Sequence, residues 1–302
     1  MPDHGRELAF GVAVTPLADE VALARALATR ADALRLDLVG IQDHPYQRRF
    51  VETWSLMADL LARTERVGVF PDVANLPLRL PAMIAKQAAS LDVLSSGRFE
   101  LGLGGGAFWE AIQAMGGPQR SARETLEALA EAIQIIRRFW AGERGLRYDG
   151  AHYQVAGVQP GPSPAHEIGI WLGVLKPRAL ELTGRVADGW VPSSSYAPPP
   201  LIPEMQRRID DAAEQSGRRP SDIRRIYNVM GTIVDRPTRA LLDGGANHWA
   251  DVLTEFALDL GFDTFIFWPA GDDELPQLER FAQEVVPAVR ERVGAARARL
   301  ER

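Results

Sequence analysis

Short apolar segments alternate with longer amphipathic segments along the whole chain, and this pattern predicts strands and helices that follow one another. The apolar segments predict strands at residues 8–14, 38–42, 67–73, 98–103, 168–174, 189–192, 225–234 and 263–267. The amphipathic segments predict helices at residues 19–35, 53–63, 81–94, 122–140, 178–187, 203–216, 248–260 and 275–293. Parallel strands need crossover helices, so the alternation indicates an α/β fold with a parallel sheet. Eight strand–helix pairs favour a closed (β/α)8 TIM barrel over an open, doubly wound sheet, although both alternate in this way.

Two segments interrupt the alternation. Residues 144–166 contain Tyr148-Asp149-Gly150 and then three spaced prolines, and they predict a hairpin inserted before the fifth strand. Residues 193–200 end in three successive prolines, which predict a stiff loop rather than a linker between domains. A barrel of about 250 residues or more is usually one domain, so we expect a single domain over residues 1–302.

Composition and charge exclude several classes of function. The net charge of −6 argues against a nucleic-acid-binding protein. The chain has no cysteine, so disulfides, thiolate metal sites and cysteine nucleophiles are excluded. The polar start of the chain has no apolar run typical of a signal peptide, and no stretch approaches the roughly 18 apolar residues of a membrane span. We therefore expect a cytoplasmic protein with a small-molecule substrate, with neither a nucleic-acid nor a membrane partner.

Candidate catalytic residues follow the second predicted strand, because active residues of a barrel lie at the carboxyl ends of its strands. His44 is the candidate for proton transfer, since histidine is the side chain that titrates near neutral pH. Asp43 could order the site or bind a ring N–H of a cofactor. The alternative is a capping Asp43 and a surface His44 at an ordinary turn. No other histidine lies at a predicted strand end, so we expect no metal site.

Two glycine-containing turns follow the fourth and fifth predicted strands. Gly104-Gly105-Gly106 would let a planar ring approach the backbone closely, because glycine has no Cβ atom; the alternative is a flexible turn. The run lacks the spacing and context of a dinucleotide-binding fingerprint. Residues 173–176 precede a predicted helix whose free N–H groups could bind a phosphate, with Lys176 adding positive charge. An ordinary strand-to-helix turn remains the alternative for this second segment.

Taken together, several stretches resemble the luciferase-like superfamily of flavin and deazaflavin oxidoreductases. They are Gly40-Ile41-Gln42-Asp43-His44-Pro45, the block over residues 75–106, and the later Gly184-Arg185-Val186-Ala187-Asp188-Gly189-Trp190. Within the block, the phrase from Leu91-Asp92 to Gly97-Arg98 is highly characteristic of this superfamily. The resemblance covers most of the chain and supports the TIM barrel more strongly than periodicity does.

The resemblance implies a cofactor ring across the carboxyl-terminal mouth of the barrel. In the branch that uses coenzyme F420, an Asp-His pair follows strand two, and Asp43-His44 matches it with His44 at the reactive edge. That branch also has a non-proline cis peptide at the end of strand three, within residues 72–75 here. The residues that the resemblance assigns to the cofactor are Asp43, Val73, Ala74, Asn75, Gly104, Gly105, Gly106, Glu110, Gly173, Val174, Leu175 and Lys176.

The function implied by the resemblance is that of an F420-dependent oxidoreductase. A hydride would move between the deazaflavin C5 and an organic substrate while His44 gives or takes a proton. The alternatives are an FMN-dependent luciferase-like monooxygenase and a non-catalytic flavin-binding or deazaflavin-binding protein. The monooxygenase branch more often has a Glu-His pair, so Asp43-His44 favours the deazaflavin. The resemblance also implies a homodimer.

The chain departs from the sugar-phosphate dehydrogenases of the deazaflavin branch at one position. Those enzymes carry an acidic residue directly after the glycine run, where this chain has Ala107, with Glu110 three residues further on. The sequence also offers no identifiable group of basic residues for a sugar phosphate. This departure argues against oxidation of glucose 6-phosphate, and Trp109 suggests an apolar or planar substrate instead.

Overall fold

The computed structural model describes residues 3–236, 240–271 and 273–300. The strands are β1 (Ala9–Val14), β2 (Leu38–Ile41), β3 (Gly68–Pro71), β4 (Ala74–Asn75), β5 (Leu101–Gly104), β6 (Leu146–Asp149), β7 (Gln154–Val158), β8 (Ile170–Leu172), β9 (Gly189–Trp190), β10 (Arg224–Ile233), β11 (Asp243–Gly244) and β12 (Thr264–Pro269). The helices are α1 (Val21–Ala33), α2 (Thr53–Arg63), α3 (Pro81–Ser95), α4 (Trp109–Ala114), α5 (Ala122–Trp140), α6 (Pro177–Val186), α7 (Ile202–Gln215), α8 (Ala246–Leu258), α9 (Glu274–Arg280) and α10 (Val286–Leu300).

The parallel strands form a barrel in the order β3-β2-β1-β12-β10-β9-β8-β5-β4. The ring closes between β3 and the residues that lead into β5, because the Val69 N–H donates to the Arg98 carbonyl at 2.8 Å and the Glu100 N–H donates to the Val69 carbonyl at 3.1 Å. The predicted TIM barrel is therefore confirmed. The strand predicted at residues 67–73 corresponds to β3, which ends at Pro71, and a turn at residues 72–73 separates it from the short β4.

The interior of the barrel is filled by side chains rather than open. A separate buried cluster occupies it, made of Ala13, Leu38, Phe70, Trp171, Val191, Ile226 and Ile266. A larger apolar cluster packs between the strands and the surrounding helices. The filled interior leaves the carboxyl-terminal mouth as the place where loops from several strands can meet a ligand.

The inserted hairpin is confirmed, with β6 and β7 antiparallel. It is held to α5 by Glu131, whose carboxylate accepts hydrogen bonds from the backbone N–H groups of residues 151–153 at 2.8 to 3.1 Å. The helix predicted at residues 275–293 is helical throughout, with a π-helical turn at Phe281–Val285 between α9 and α10. In the described part of the chain, no helix is both long enough and apolar enough to cross a membrane.

The characteristic phrase over residues 91–98 has a structural explanation. Asp92 is fully buried, and its carboxylate accepts hydrogen bonds from the N–H groups of Ala165 and His166 and contacts the His166 ring Nδ1 at 2.7 Å. Arg98 donates to the carbonyls of Leu61 and Val67. Both side chains therefore connect segments that precede β3, β5 and β8, at the end of the barrel opposite the mouth.

Loss of the His166 imidazole should destabilise the protein in a pH-dependent way. The hydrogen bond with Glu100, helped by Asp92, raises the pKa of His166 to about 9, against an ordinary value of 6.5. The stabilisation is thus complete below pH 6.5 and is lost as the pH rises through 9. We expect His166→Gln to lower the free energy of unfolding by about 1–2 kcal/mol at pH 6, a figure reduced for the partial exposure of the ring.

Urea unfolding at pH 6 and pH 9.5 measures this effect. The difference between wild type and His166→Gln should shrink at the higher pH. His152→Gln is the control, since the His152 ring contacts the exposed Glu127 carboxylate at 3.3 Å, and its effect should be small at both pH values. An equal loss for His166→Gln at both pH values would show that this imidazole is not held in its charged form.

Candidate functional site

His44 lies directly beyond β2, at the mouth of the barrel, and its ring is half-buried. Its Nδ1 is 2.8 Å from the Tyr46 hydroxyl, which fixes the ring orientation. Within the described ranges, Nε2 has no hydrogen-bond partner. Burial lowers the pKa of His44 below 6.5, with Asp43 opposing the shift, so the ring is mainly neutral at pH 7. A neutral imidazole with one free nitrogen can accept a proton from a bound molecule.

Aromatic side chains form the wall beside His44. Phe108, in the loop after β5, meets the imidazole edge-on with ring centroids 5.7 Å apart and is 53% exposed. Tyr46 lies 5.6 Å from His44 and Phe50 6.5 Å, measured between ring centroids. Burial raises the pKa of Tyr46 to about 12, so its hydroxyl stays protonated. Sequence reasoning missed Tyr46 and Phe108; the only signal was their closeness in sequence to His44 and the glycine run.

Asp43 lies behind the site rather than in it. Its side chain has no exposed surface, and its carboxylate accepts hydrogen bonds from Arg79 at 2.5 and 3.1 Å and from the Asn75 N–H at 2.8 Å. Arg79 also donates to Glu52 and lies over the Trp54 ring. The Asp43 side chain therefore exposes no atom that could contact a cofactor ring, although the sequence predicts such a contact. Asp43 instead joins the end of β2 to the start of the turn after β4.

The turn between β3 and β4, at residues 72–73, forms the floor of the mouth. The Asp72–Val73 peptide bond is cis, within the interval that the sequence predicts. The Val73 side chain lies over the ends of β5 and β8, where a Cβ atom on Gly104 would come within 2.7 Å of it and one on Gly173 within 2.8 Å. These two glycines therefore make room for Val73. The prediction from the sequence was that a cofactor ring, rather than Val73, would approach the backbone at Gly104.

The other two glycines of the run shape the loop. A Cβ atom on Gly105 would lie 2.7 Å from Thr125 of α5, and one on Gly106 would lie 2.6 Å from Pro77. Gly106 has φ +97°, a conformation that favours glycine. The run therefore turns the chain tightly between α5 and the Pro77 turn, which brings Phe108 to His44.

An unpaired acceptor lies beside this floor. Ala74 and Asn75 are buried in β4, which pairs with the end of β5. The Asn75 side-chain Oδ1 is buried and, in the described part of the molecule, has no hydrogen-bond partner. A buried acceptor without a donor is unusual, so Oδ1 is available to a ligand that brings an N–H or O–H group.

The loop after β8 places positive charge at the same end of the barrel. The Val174 carbonyl accepts a hydrogen bond from the Trp190 indole, and Leu175 packs against the core. Lys176 is exposed and directly precedes α6, whose first residue, Pro177, has no N–H to offer a phosphate. Arg178 is a second exposed cation, which sequence reasoning missed.

The predicted site residues share one end of the barrel, because they lie in β4, at the end of β5 or in the segments that follow β2, β3, β5 and β8, and these strands are parallel. Glu110 is exposed in the first turn of α4 and is not among the residues described above that contact the His44 ring. The arrangement combines a proton acceptor, an apolar wall, a floor and an unpaired amide oxygen. Such a mouth can hold a planar ring and perform proton-coupled chemistry beside it.

Curated relatives resemble this chain over much of its length. An F420-dependent glucose-6-phosphate dehydrogenase of Microbacterium testaceum is 34% identical over a match that spans 56% of this chain and only 50% of the relative. The enzyme of the same name from Intrasporangium calvum is 26% identical, and its match spans 86% of this chain and 92% of the relative.

Solved structures share the fold at low identity. An F420-dependent secondary alcohol dehydrogenase, in complex with an F420-acetone adduct, superposes with a TM-score of 0.84 at 17% identity and covers 94% of this chain and 99% of its own. The monooxygenase RslO1 of Streptomyces bottropensis gives 0.80 at 19% identity and covers 93% and 99%. Finally, the sequence profile of a family described as luciferase-like monooxygenase matches residues 7–258. The chain belongs to this luciferase-like family.

Proposed function

We propose that the protein is a coenzyme F420-dependent oxidoreductase that moves a hydride between the cofactor and an organic substrate, with His44 as proton donor and acceptor. The observation that carries the proposal is the His44 imidazole, which Tyr46 holds through Nδ1 while Nε2 stays free at the barrel mouth. The relatives named F420-dependent glucose-6-phosphate dehydrogenase support the choice of cofactor.

The residues at the mouth fit a deazaflavin. Val73 offers an apolar floor for a planar ring, and the unpaired Asn75 Oδ1 can accept a hydrogen bond from a ring N–H. Lys176 and Arg178 are exposed cations near the start of α6, suited to a phosphate. When bound, a deazaflavin gives or accepts a hydride at its C5.

The proton has a defined path in this arrangement. An alcohol that is oxidised loses a hydride from carbon and a proton from oxygen, and neutral His44 can accept that proton at Nε2. This requires the tautomer in which Nδ1–H donates to the Tyr46 hydroxyl oxygen, 2.8 Å away, and the imidazolium keeps that hydrogen bond. In the reductive direction the same groups return the proton. The Arg79–Asp43 pair keeps the backbone that carries His44 in place.

The substrate that we propose is small and apolar or planar rather than a sugar phosphate. Exposed apolar side chains lie beyond β5, beyond β9 and near the end of β10: Phe108, Tyr196 and Met230. Position 107 is an exposed alanine, so it supplies no carboxylate beside His44. This apolar surface favours a substrate without charge at its reacting end.

Equilibrium binding of the purified protein to oxidised F420 and to FMN tests the cofactor. We expect quenching of F420 fluorescence with a dissociation constant at least tenfold lower than that for FMN. Tight binding of FMN without F420 would contradict the proposal. The FMN-dependent monooxygenase is the second candidate, because a monooxygenase shares the fold with a TM-score of 0.80; oxygen consumption with reduced FMN would identify it.

Removing positive charge at the start of α6 should weaken cofactor binding without affecting the proton step. We expect Lys176→Ala and Arg178→Ala each to raise the dissociation constant of F420 by about five- to tenfold, the loss of one exposed charge-assisted contact. Arg219→Ala is the control, because this exposed cation precedes β10 at the opposite end of the barrel. Fluorescence titration at 50 and 300 mM salt measures the effect; unchanged affinity in both variants would exclude this phosphate site.

The homodimer and the cytoplasmic location stay predictions. Exposed apolar side chains on α3, among them Met83, Val93 and Leu94, support an interface between two copies. Light scattering of the purified protein gives the mass that decides between monomer and dimer.

A further inference from the structure

Asp72 is a carboxyl group inside the barrel mouth that the proton path above does not use. Its N–H donates to the Ile41 carbonyl at 2.7 Å, which extends the pairing of β3 with β2 by one residue. A Cβ atom on Gly40 would lie 3.3 Å from the Asp72 Cβ and 2.8 Å from the Phe70 ring. Since Phe70 belongs to the interior cluster, the Asp72 side chain also points into the barrel, above Phe70 and beside the Val73 floor.

The carboxyl faces uncharged neighbours. Its Oδ2 is buried and lacks a hydrogen-bond partner among the described residues, and the same is true of the Asn228 Oδ1 of β10. Asn228 uses its amide nitrogen to donate to the Ser193 hydroxyl at 3.1 Å. Gly40, Phe70, Asn228 and Ser193 carry no charge, and no cation among the described residues compensates an ionised Asp72. A buried carboxylate oxygen with neither a donor nor a cation favours the neutral form of Asp72, in which the carboxyl carries a proton.

We propose that Asp72 is a proton-linked binding residue whose carboxyl is neutral when the cofactor covers the mouth, so that cofactor binding takes up one proton from solvent. The inference rests on the proposed function, since it needs a ring on the Val73 floor. A bound ring excludes water from the mouth, and a carboxylate without water or a cation is strongly disfavoured. The carboxylate therefore becomes a carboxylic acid, with no change in any other covalent bond.

The pKa of the Asp72 carboxyl determines the pH range in which this proton uptake can be measured. Burial raises the pKa of Asp72 to about 7, with Asn228 opposing only in part. Above that pH the free protein holds a carboxylate and must take up a proton to bind the cofactor. Affinity should then fall by up to tenfold for each further unit of pH, whereas below pH 6 it should not depend on this residue.

The first experiment compares the dissociation constants of oxidised F420 for wild type and Asp72→Asn at pH 6, 7, 8 and 9. Ionisation of the free cofactor affects both proteins alike, so their ratio is the readout. We expect a ratio near one at pH 6 and an advantage of about tenfold or more for Asp72→Asn at pH 9. His44→Gln is the control, because its ratio to wild type should change only below pH 6.5.

A second measurement needs no cofactor. The folded-state pKa lies above the ordinary carboxyl value of 3.8, so wild type should lose stability as the pH rises from about 4 to 7, and Asp72→Asn should not. Urea unfolding at pH 4.5, 6 and 7.5 should show a gap in favour of the variant that widens with pH. Asp72→Ser is a second neutral variant for the case in which Asp72→Asn does not fold.

The outcomes separate this inference from the proposed function. If wild type binds F420 and the affinity ratio is the same at every pH, the role of Asp72 is overturned and the cofactor assignment stands. If wild type does not bind F420, both the cofactor assignment and the role of Asp72 in cofactor binding are contradicted. A widening ratio in binding, together with a widening gap in stability, supports the inference.

Discussion

His44→Gln is expected to bind oxidised F420 as tightly as wild type and to turn over about 10²–10⁴-fold more slowly. The glutamine amide keeps roughly the size and polarity of the imidazole but cannot accept a proton near neutral pH. The ring is half-buried beside Phe108 and is held by Tyr46, so a glutamine of similar size should leave the wall in place. Steady-state kinetics and fluorescence titration on the same preparation measure the two quantities.

Tyr46→Phe is the matched control for this prediction. It removes the hydroxyl that contacts Nδ1 and leaves Nε2 untouched. We expect a loss of less than about tenfold in turnover, because the general base remains. Equal losses of binding and turnover in His44→Gln would contradict the role of His44 in proton transfer and would make it a binding residue.

The pH profile of wild type gives an independent check of the same role. Burial lowers the pKa of His44, so the base form predominates at pH 7 and oxidation should slow only as the pH falls below 6.5. This decrease should be absent from the residual activity of His44→Gln. A decrease that persists in the variant would assign the titration to another group.

Arg79→Met is expected to lower the free energy of unfolding by about 3–5 kcal/mol, because it leaves a buried carboxylate without its cation. Asp43 has no exposed side-chain surface, and two of its three hydrogen bonds from the protein come from Arg79. The remaining bond, from the Asn75 N–H, cannot replace a positive charge. Urea unfolding at pH 7, followed by circular dichroism, measures the loss.

Two further variants test whether the unpaired charge is the cause. Adding Asp43→Asn to Arg79→Met should recover part of the lost stability, since the buried group is then neutral. Arg25→Met is the surface control: Arg25 pairs with Asp59 at 2.7 Å but is 44% exposed, so its loss should cost less than about 1 kcal/mol. A double variant no more stable than Arg79→Met would show that the lost packing of Arg79 over Trp54 and its lost bond to Glu52, rather than the unpaired charge of Asp43, cause the destabilisation.

Local patterns in the sequence determined most of the secondary structure. The predicted helices at 53–63 and 122–140 have the observed bounds of α2 and α5. At the start of α5, the Ser121 hydroxyl accepts from the Glu124 N–H, and the Glu124 carboxylate accepts from the Ser121 N–H. Such signals are readable because helix periodicity and capping involve residues within one or two turns of each other. The position of His44 at a strand end followed from the same local reasoning.

The tertiary structure alone decided what each polar residue of the mouth faces. Asp43 is adjacent to His44 in sequence, yet it is buried against Arg79, 36 residues away. The space beside Gly104 and Gly173 belongs to Val73, and Asp72 lies inside the barrel with Asn228 of β10. These contacts depend on how parallel strands align around a closed barrel, and the register between distant strands leaves no local pattern of apolar and polar residues. Periodicity can therefore indicate which residues reach the mouth, but only the packed barrel determines which of them remain free to meet a ligand.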